Sequence, residues 1–215
     1  MYNLDKLTAW VDLSTYCNAA CPLCHRTNPK TLEKADWLPL IQWSLEQFKQ
    51  VFPANTLNKY HQFEICGTWG DPVMNKDLAA IVQYLIDHSS AIVVIITNGS
   101  IRDPDWWWKL GVIGGRRLRV MFAVEGINQE MHSKYRQNTN LDKIKENVSA
   151  ISETKAKVQI AVLVFKHNEQ YLDQIDTMVR SWGKINMVIY TKAQRFEKGP
   201  VFKFGNGLQL EQATT

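Results

Sequence analysis

The sequence lacks the features that mark a membrane-spanning or a disulfide-rich protein. None of its apolar runs approaches the roughly 18 residues of a transmembrane helix, so we expect no membrane partner. The first residues carry charge but no apolar core or cleavage site, so we expect no secretory signal and a cytoplasmic location. Only four of the 215 residues are cysteine, and three of these fall within eight positions. In a cytoplasmic chain, such close spacing favours a metal site over a disulfide framework.

The sequence also has little excess charge of either sign. Its 25 Lys and Arg residues against 21 Asp and Glu give a formal net charge of +4. This mild excess is weak support for a nucleic-acid partner, which stays open as an alternative. A length of 215 residues with 45% hydrophobic composition suits one domain with a sizeable core and excludes a disordered chain.

Strand-like and helix-like stretches alternate along the chain. Six short runs are rich in Val and Ile, and several lack polar–apolar alternation, which is typical of strands buried on both faces of a parallel sheet. These predicted strands are Ala9–Ser14, His61–Cys66, Ala91–Thr97, Leu118–Val124, Val158–Phe165 and Ile185–Tyr190.

Five helices are predicted between these strands. Apolar residues recur at spacings of three and four in stripes that begin at Leu38, Leu78, Leu141 and Leu172. Asp103-Pro104 predicts the cap and first turn of a further short helix. Alternating strands and helices with right-handed crossovers give a parallel sheet, either doubly wound or curved into a partial barrel. In both folds, ligands bind at the C-terminal ends of the strands.

The loop after the first predicted strand holds the three close cysteines. Cys17, Cys21 and Cys24 follow the spacing Cys-x3-Cys-x2-Cys. Three thiolates on one tight loop can hold three corners of a cubane iron–sulfur cluster and leave the fourth iron open. A zinc site with His25 is the alternative, which we disfavour because adjacent residues rarely reach two vertices of one tetrahedron. The remaining Cys66 lies on a strand, where a thiol is more often a small buried apolar group.

This motif, in the loop after the first strand, resembles the signature of the radical SAM superfamily. In that family the three cysteines bind a [4Fe-4S] cluster, and S-adenosylmethionine (SAM) chelates the fourth iron. The resemblance therefore implies Cys17, Cys21 and Cys24 as metal ligands and SAM as the second cofactor. It implies an α/β fold, a partial (β/α)6 TIM-like barrel of parallel strands over residues 1–190. Residues 191–215 would be a short C-terminal tail rather than a separate domain.

Three further segments resemble the family's SAM pocket, in the same order along the chain. Residues 67–72, Gly-Thr-Trp-Gly-Asp-Pro, resemble its Gly-Gly-Glu-Pro segment, with Trp69 in place of the first Gly and Asp71 in place of Glu. Thr97-Asn98-Gly99 matches a tripeptide of many members. Glu125 with the downstream Arg136 resembles the polar stretch that follows the family's fourth strand. The pocket residues that the resemblance implies are Leu23, Gly70, Asp71, Thr97, Asn98, Glu125 and Arg136.

The resemblance also implies a reaction. In the family, a flavodoxin- or ferredoxin-like donor reduces the cluster, SAM is cleaved to methionine and a 5′-deoxyadenosyl radical, and the radical takes a hydrogen atom from a substrate. Only Cys66 remains for other roles, and it is a weak catalytic candidate. Because an auxiliary iron–sulfur cluster needs about three or four further thiolates, a single remaining cysteine excludes one. A peptide or protein substrate is favoured. A nucleotide- or RNA-modifying enzyme, and a non-catalytic iron–sulfur or zinc binding module, are the alternatives.

The predicted roles of Leu23 and Asn168 depend on their positions in the chain. Leu23 lies between the second and third cysteines, where family members place an apolar residue against the adenine of SAM. His167-Asn168-Glu169 follows the fifth predicted strand. These residues either face the site or cap the next helix through Asn168, and we favour the cap.

Overall fold

The computed structural model describes residues 7–196, 199–205 and 207–214. Six parallel strands form one sheet in unbroken chain order, β1-β2-β3-β4-β5-β6. A doubly wound sheet would reverse its order at a switch point, so the order is that of a barrel. No pairing within the described residues joins β1 to β6, and the barrel is not closed. The strands are β1 (Leu7–Val11), β2 (Tyr60–Ile65), β3 (Ile92–Thr97), β4 (Leu118–Ala123), β5 (Lys157–Val164) and β6 (Ile185–Lys192).

Helices connect the parallel strands. They are α1 (Leu45–Val51), α2 (Leu78–His88), α3 (Pro104–Gly114), α4 (Gln129–Ser133), α5 (Leu141–Ser152) and α6 (Leu172–Arg180). Four of them, α2, α3, α5 and α6, confirm predicted helices. The first, α1, covers only the second half of the stripe predicted from Leu38, and the short α4 was not predicted. No helix formed by the described residues is long and apolar enough to cross a lipid bilayer.

The main core lies between the sheet and the helices. Alternate residues of the strands, among them Phe63, Ile95 and Phe122, are fully buried against helix residues. The residues between them point to the other, concave face, because successive strand residues alternate in direction. Glu64 and Met121 on that face are only half-buried. The interior of this barrel is therefore open, as a ligand-binding barrel requires.

The first helix begins at Leu45 rather than at Leu38, so the prediction of a helix from Leu38 is wrong. The preceding segment instead runs beside the chain that leaves β1, where the Thr15 N–H donates to the Ile41 carbonyl at 2.9 Å. A backbone carbonyl bound in this way is not available to a helix. Ser44 then starts α1 with a reciprocal capping box.

The segment predicted as a tail contains an antiparallel hairpin. Its strands are β7 (Val201–Phe204) and β8 (Leu208–Glu211). Phe204 and Leu210 are buried in an apolar cluster that includes residues of the cysteine loop. We call this cluster the hairpin core; its buried members are Ala19, Cys21, Leu23, Tyr135, Phe165, Ala193, Phe204 and Leu210, and Cys17 and Cys24 pack against it.

Candidate functional site

A cavity of about 420 Å³ opens at the C-terminal ends of the strands. Of the ten residues predicted for the cluster and the SAM pocket, nine line this cavity and Glu125 lies behind it. The nine are Cys17, Cys21, Leu23, Cys24, Gly70, Asp71, Thr97, Asn98 and Arg136. Cys66 is half-buried and does not line this cavity, although the next residue, Gly67, does.

The three cysteine side chains lie in a buried environment with hydrogen-bond donors. Cys21 is buried and the other two are half-buried, and all three thiols are free. Arg136 Nη1 donates to Cys21 Sγ at 3.6 Å, and Asn98 Nδ2 lies 3.8 Å from Cys17 Sγ. Burial, aided by the Asp71 carboxylate, raises the pKa of Cys17 to about 12, and burial raises that of Cys21 to about 11. Burial thus favours the neutral thiol at Cys17 and Cys21, and a bound cation would favour the thiolates.

The donor set fits an iron–sulfur cubane better than a single metal ion. Among the described residues, no three His, Cys, Asp or Glu side chains are grouped so that one ion could bind them all. A cubane binds each thiolate to a different iron and so accepts a wider spacing. His25, the extra ligand of the zinc alternative, is exposed, and its ring centroid lies 6.2 Å from that of Trp69.

Asp71 joins the loops that follow β2 and β3. Its Oδ1 accepts from the Val73 N–H at 3.0 Å and from Thr97 Oγ1 at 2.9 Å. Its Oδ2 accepts from the Asn98 N–H at 2.8 Å and from Asn98 Nδ2 at 2.6 Å. Burial raises the pKa of Asp71, and the bonds from Asn98 and Val73 oppose that rise. Protein donors thus already surround this carboxylate, which makes it a positioning group for Asn98.

Gly70 lets the loop after β2 pack directly on the cysteine loop. A Cβ atom at Gly70 would lie 2.2 Å from the Ser14 carbonyl oxygen, and one at Gly67 would lie 1.9 Å from the Gly70 oxygen. The Asp71 N–H donates to the Tyr16 carbonyl at 2.7 Å. Glycine is therefore required here for backbone approach, which places Asp71 beside Cys17.

Glu125 and Arg136 form a buried, two-point ion pair. Arg136 Nε donates to Glu125 Oε2 at 2.8 Å and Nη2 donates to Oε1 at 2.9 Å. The Glu125 side chain is fully buried and that of Arg136 is 18% exposed. Because Glu125 accepts from Nε and Nη2, the third nitrogen, Nη1, is left to donate to Cys21. The Glu125 carboxylate thus fixes the Arg136 guanidinium against the cysteine loop.

His132 and Asn168 hold Glu125 from behind. His132 Nδ1 accepts from the Glu125 N–H at 3.2 Å. Its Nε2–H donates to Thr139 Oγ1 at 3.0 Å, because the Thr139 hydroxyl donates to the Arg136 carbonyl. Asn168 Nδ2 donates to the Glu125 carbonyl at 3.0 Å. Asn168 does lie at the N-cap position of the turn that precedes α6, as predicted, but its side chain makes no cap bond and contacts Glu125 instead. No spacing in the sequence signals that contact.

Residues 11–179, more than half of the chain, match the sequence profile of the radical SAM superfamily. The chain belongs to the radical SAM superfamily. This confirms the family that the cysteine motif resembles. The family implies both a [4Fe-4S] cluster and SAM.

Solved structures of radical SAM proteins share the fold of this chain. Streptococcus suis SuiB bound to S-adenosylmethionine superposes with a TM-score of 0.68 at 12% identity over 86% of this chain and 40% of that one. Native anSMEcpe with bound AdoMet gives 0.65 at 14% identity over 91% and 53%. Methylornithine synthase (PylB) gives 0.62 at 16% identity over 86% and 53%. The predicted partial barrel is thereby confirmed.

This radical SAM protein spans 40 to 53% of the length of those three chains. No curated protein matches its sequence. The likeness in structure, at identities of 12 to 16%, shows the fold, and the substrate has to be argued from the residues of this chain.

The cavity of this radical SAM protein carries an excess of positive charge. Its lining includes Arg26, Lys192 and Arg195 besides the paired Arg136. Within the part of the chain that the structure describes, none of the three makes an ion pair. Arg26 Nε donates to the Thr15 carbonyl at 3.1 Å and Arg195 Nη1 to the Leu23 carbonyl at 3.3 Å. Sequence reasoning missed Arg26 because it follows the motif without belonging to it.

The buried His132 predicts a loss of stability in mild acid. Burial lowers the pKa of His132 to about 4 from an ordinary value of 6.5. Between these values the unfolded chain binds a proton that the folded chain excludes, so stability is present above pH 6.5 and falls toward pH 4. We expect a loss of about 3 kcal/mol across this window, measured by urea unfolding. His132→Gln, which keeps a donor for Thr139, should flatten the slope; an equally steep slope in that variant would contradict the assignment.

Proposed function

We propose that this protein is an enzyme that binds a [4Fe-4S] cluster on Cys17, Cys21 and Cys24 and cleaves SAM reductively. The substrate that donates the hydrogen atom is, in this proposal, a peptide or a protein. The observation that carries the proposal is the convergence of three free thiols and six predicted SAM-pocket residues on one cavity. The family match over residues 11–179 supports the chemistry.

The protein supplies position, charge and shelter from water. When bound, the cluster and SAM supply the electron transfer and the 5′-deoxyadenosyl radical. Arg136, held by Glu125, places a positive charge at Cys21. Asp71 fixes the Asn98 side chain beside Cys17. Leu23, buried in the hairpin core, offers an apolar wall that suits an adenine ring.

Two structural neighbours support the choice of a peptide over a nucleotide. Streptococcus suis SuiB has been solved bound to precursor peptide SuiA, and it matches this chain with a TM-score of 0.59 at 11% identity. Native anSMEcpe has been solved with the Kp18Cys peptide, with a TM-score of 0.63 at 13% identity. We further propose a flavodoxin- or ferredoxin-like protein as the electron donor. Free thiols and an oxidisable cluster suit the reducing cytoplasm.

The test is anaerobic reconstitution with iron and sulfide, followed by reduction with dithionite in the presence of SAM. We expect a brown protein, an EPR signal that changes when SAM is added, and 5′-deoxyadenosine detected by chromatography. A matched sample without dithionite is the control. One zinc per chain, a cluster signal that SAM leaves unchanged, or 5′-deoxyadenosine equal to the control would overturn the proposal.

A further inference from the structure

A second cavity, of about 340 Å³, lies between the cysteine loop and the β7–β8 hairpin. Leu23, Cys24 and Arg195 line both this cavity and the larger one, so the two are adjacent and share a wall. The rest of its lining is mostly apolar and, within the described residues, includes no carboxylate. These residues are Pro22, His25, Thr27, Pro29, Phe196, Gly199, Val201 and Phe202.

The outer edge of β7 borders this second cavity. The Glu211 carbonyl accepts from the Lys166 N–H at 3.0 Å and so points away from β7. Glu211 and Val201 are therefore opposite each other without exchanging hydrogen bonds. Because hydrogen-bonded and non-hydrogen-bonded pairs alternate in an antiparallel ladder, the pair of Lys203 with Gln209 is also non-hydrogen-bonded. The Gln212 N–H donates to the Pro200 carbonyl, as this alternation requires. The peptide groups of Val201 and Lys203 thus point away from β8.

One end of this edge is already paired. The Gly205 N–H donates to the Pro29 carbonyl at 2.8 Å, which joins β7 to the cysteine loop. The rest of the edge, from Lys203 back to Val201, runs toward Arg195. Among the described residues, no backbone group outside the hairpin forms a hydrogen bond with Val201 or Lys203. An unpaired strand edge beside an apolar cavity is a template for one more extended chain.

The charge around this edge indicates the kind of chain that fits. Arg195 lies where the two cavities meet, with Lys192 in the larger cavity and Lys203 on β7 itself. None of these cations has an ion-pair partner among the residues described. A peptide satisfies the strand edge through its amides, and an acidic side chain satisfies the unpaired cations.

We propose that an extended, acidic segment of the substrate peptide binds as an added strand along β7 at Val201 and Lys203, with a carboxylate at Arg195. This inference rests on the proposed function and names the substrate contact for that site. The bound segment leads from the hairpin, past Arg195, toward the cavity lined by the cysteines. The backbone bonds give affinity, and alternate side chains enter the apolar cavity and give selectivity.

The test uses the reconstituted protein immobilised under anaerobic conditions. The probe is a random pool of peptides about ten residues long, longer than a usual strand of about five or six residues. A second pool is identical but carries N-methyl groups at alternate backbone nitrogens, which blocks strand pairing. We expect retention of the first pool, enriched in Asp and Glu, and at least about five-fold less of the second. Equal retention of the two pools, or retention of neither, would overturn the inference.

Two variants of one residue separate the backbone from the side chain. Lys203→Pro removes the outward N–H, and Lys203→Gln keeps it while removing the charge. We expect about five-fold weaker retention for Lys203→Pro than for Lys203→Gln, and loss of the acidic enrichment for Arg195→Gln. Iron content shows whether each variant keeps the hairpin core intact. The N-methylated pool tests strand pairing in the wild-type protein, so the inference stays testable if a variant fails to fold. Dithionite-driven SAM cleavage by the wild-type protein is measured without peptide, so its absence would refute the proposed function separately, whatever the peptide pools show.

Discussion

Cys21→Ala is expected to reduce bound iron and dithionite-dependent 5′-deoxyadenosine to background, at least about a 100-fold loss of activity. Altering an outer partner of a metal site costs 10–100-fold, and Cys21 is proposed as a direct ligand. It is also the most buried of the three thiols and accepts a hydrogen bond from Arg136. Iron assay and chromatography of the products measure the effect.

Cys66→Ala is the matched control for this prediction. Cys66 is half-buried, lies outside the cavity lining, and has a pKa that burial raises. We expect iron content and 5′-deoxyadenosine within two-fold of the wild type, about 0.4 kcal/mol or less. If both variants lost iron equally, the assignment of the cluster to the three close cysteines would be wrong.

Glu125→Gln is expected to lower the free energy of unfolding by about 3–5 kcal/mol. The glutamine keeps the size of the side chain but leaves the buried Arg136 without its counter-charge. The loss is measured from urea unfolding. As the control, Glu146→Gln removes an exposed partner of Lys143, and exposed pairs contribute little.

A double variant separates the lost charge pair from lost packing. Glu125→Leu combined with Arg136→Met removes both charges together and should recover most of the stability that Glu125→Gln loses, since replacing a whole buried pair is often neutral. A Glu125→Gln loss no larger than that of Glu146→Gln would show that the pair is solvated and does not fix Arg136.

The strands and most of the cavity were predictable because both depend on local sequence. Runs of Val and Ile such as that of β3 predicted the six strands to within a few residues. Sheet geometry predicted that ligands bind where the parallel strands end. The family resemblance then singled out Asp71, Asn98 and Arg136, and these residues line one cavity in the structure. The contacts between these residues, such as the hydrogen bonds from protein donors to both oxygens of Asp71, depend on distances in space, which the spacing of residues along the chain does not give.

The features that the sequence did not predict are held by contacts between distant parts of the chain. The hairpin carries only two short alternating runs, Phe202-Lys203-Phe204 and Leu208-Gln209-Leu210. Phe204 and Leu210 are buried because they meet the cysteine loop. Residues 38–44 have helical spacing, yet their backbone bonds to Leu13 and Thr15, just after β1, override it. The Asn168 side chain likewise bonds to the Glu125 carbonyl, which follows a different strand, rather than to the helix that Asn168 begins.

The hairpin core has a thermodynamic consequence for metal loading. The cysteines and the hairpin strands bury one another's apolar surface, so anything that binds the folded cysteine loop also stabilises the docked hairpin. This linkage is reciprocal. A ligand that holds the hairpin against the cysteine loop is therefore expected to slow the loss of the proposed cluster, and a change that loosens the hairpin is expected to speed it.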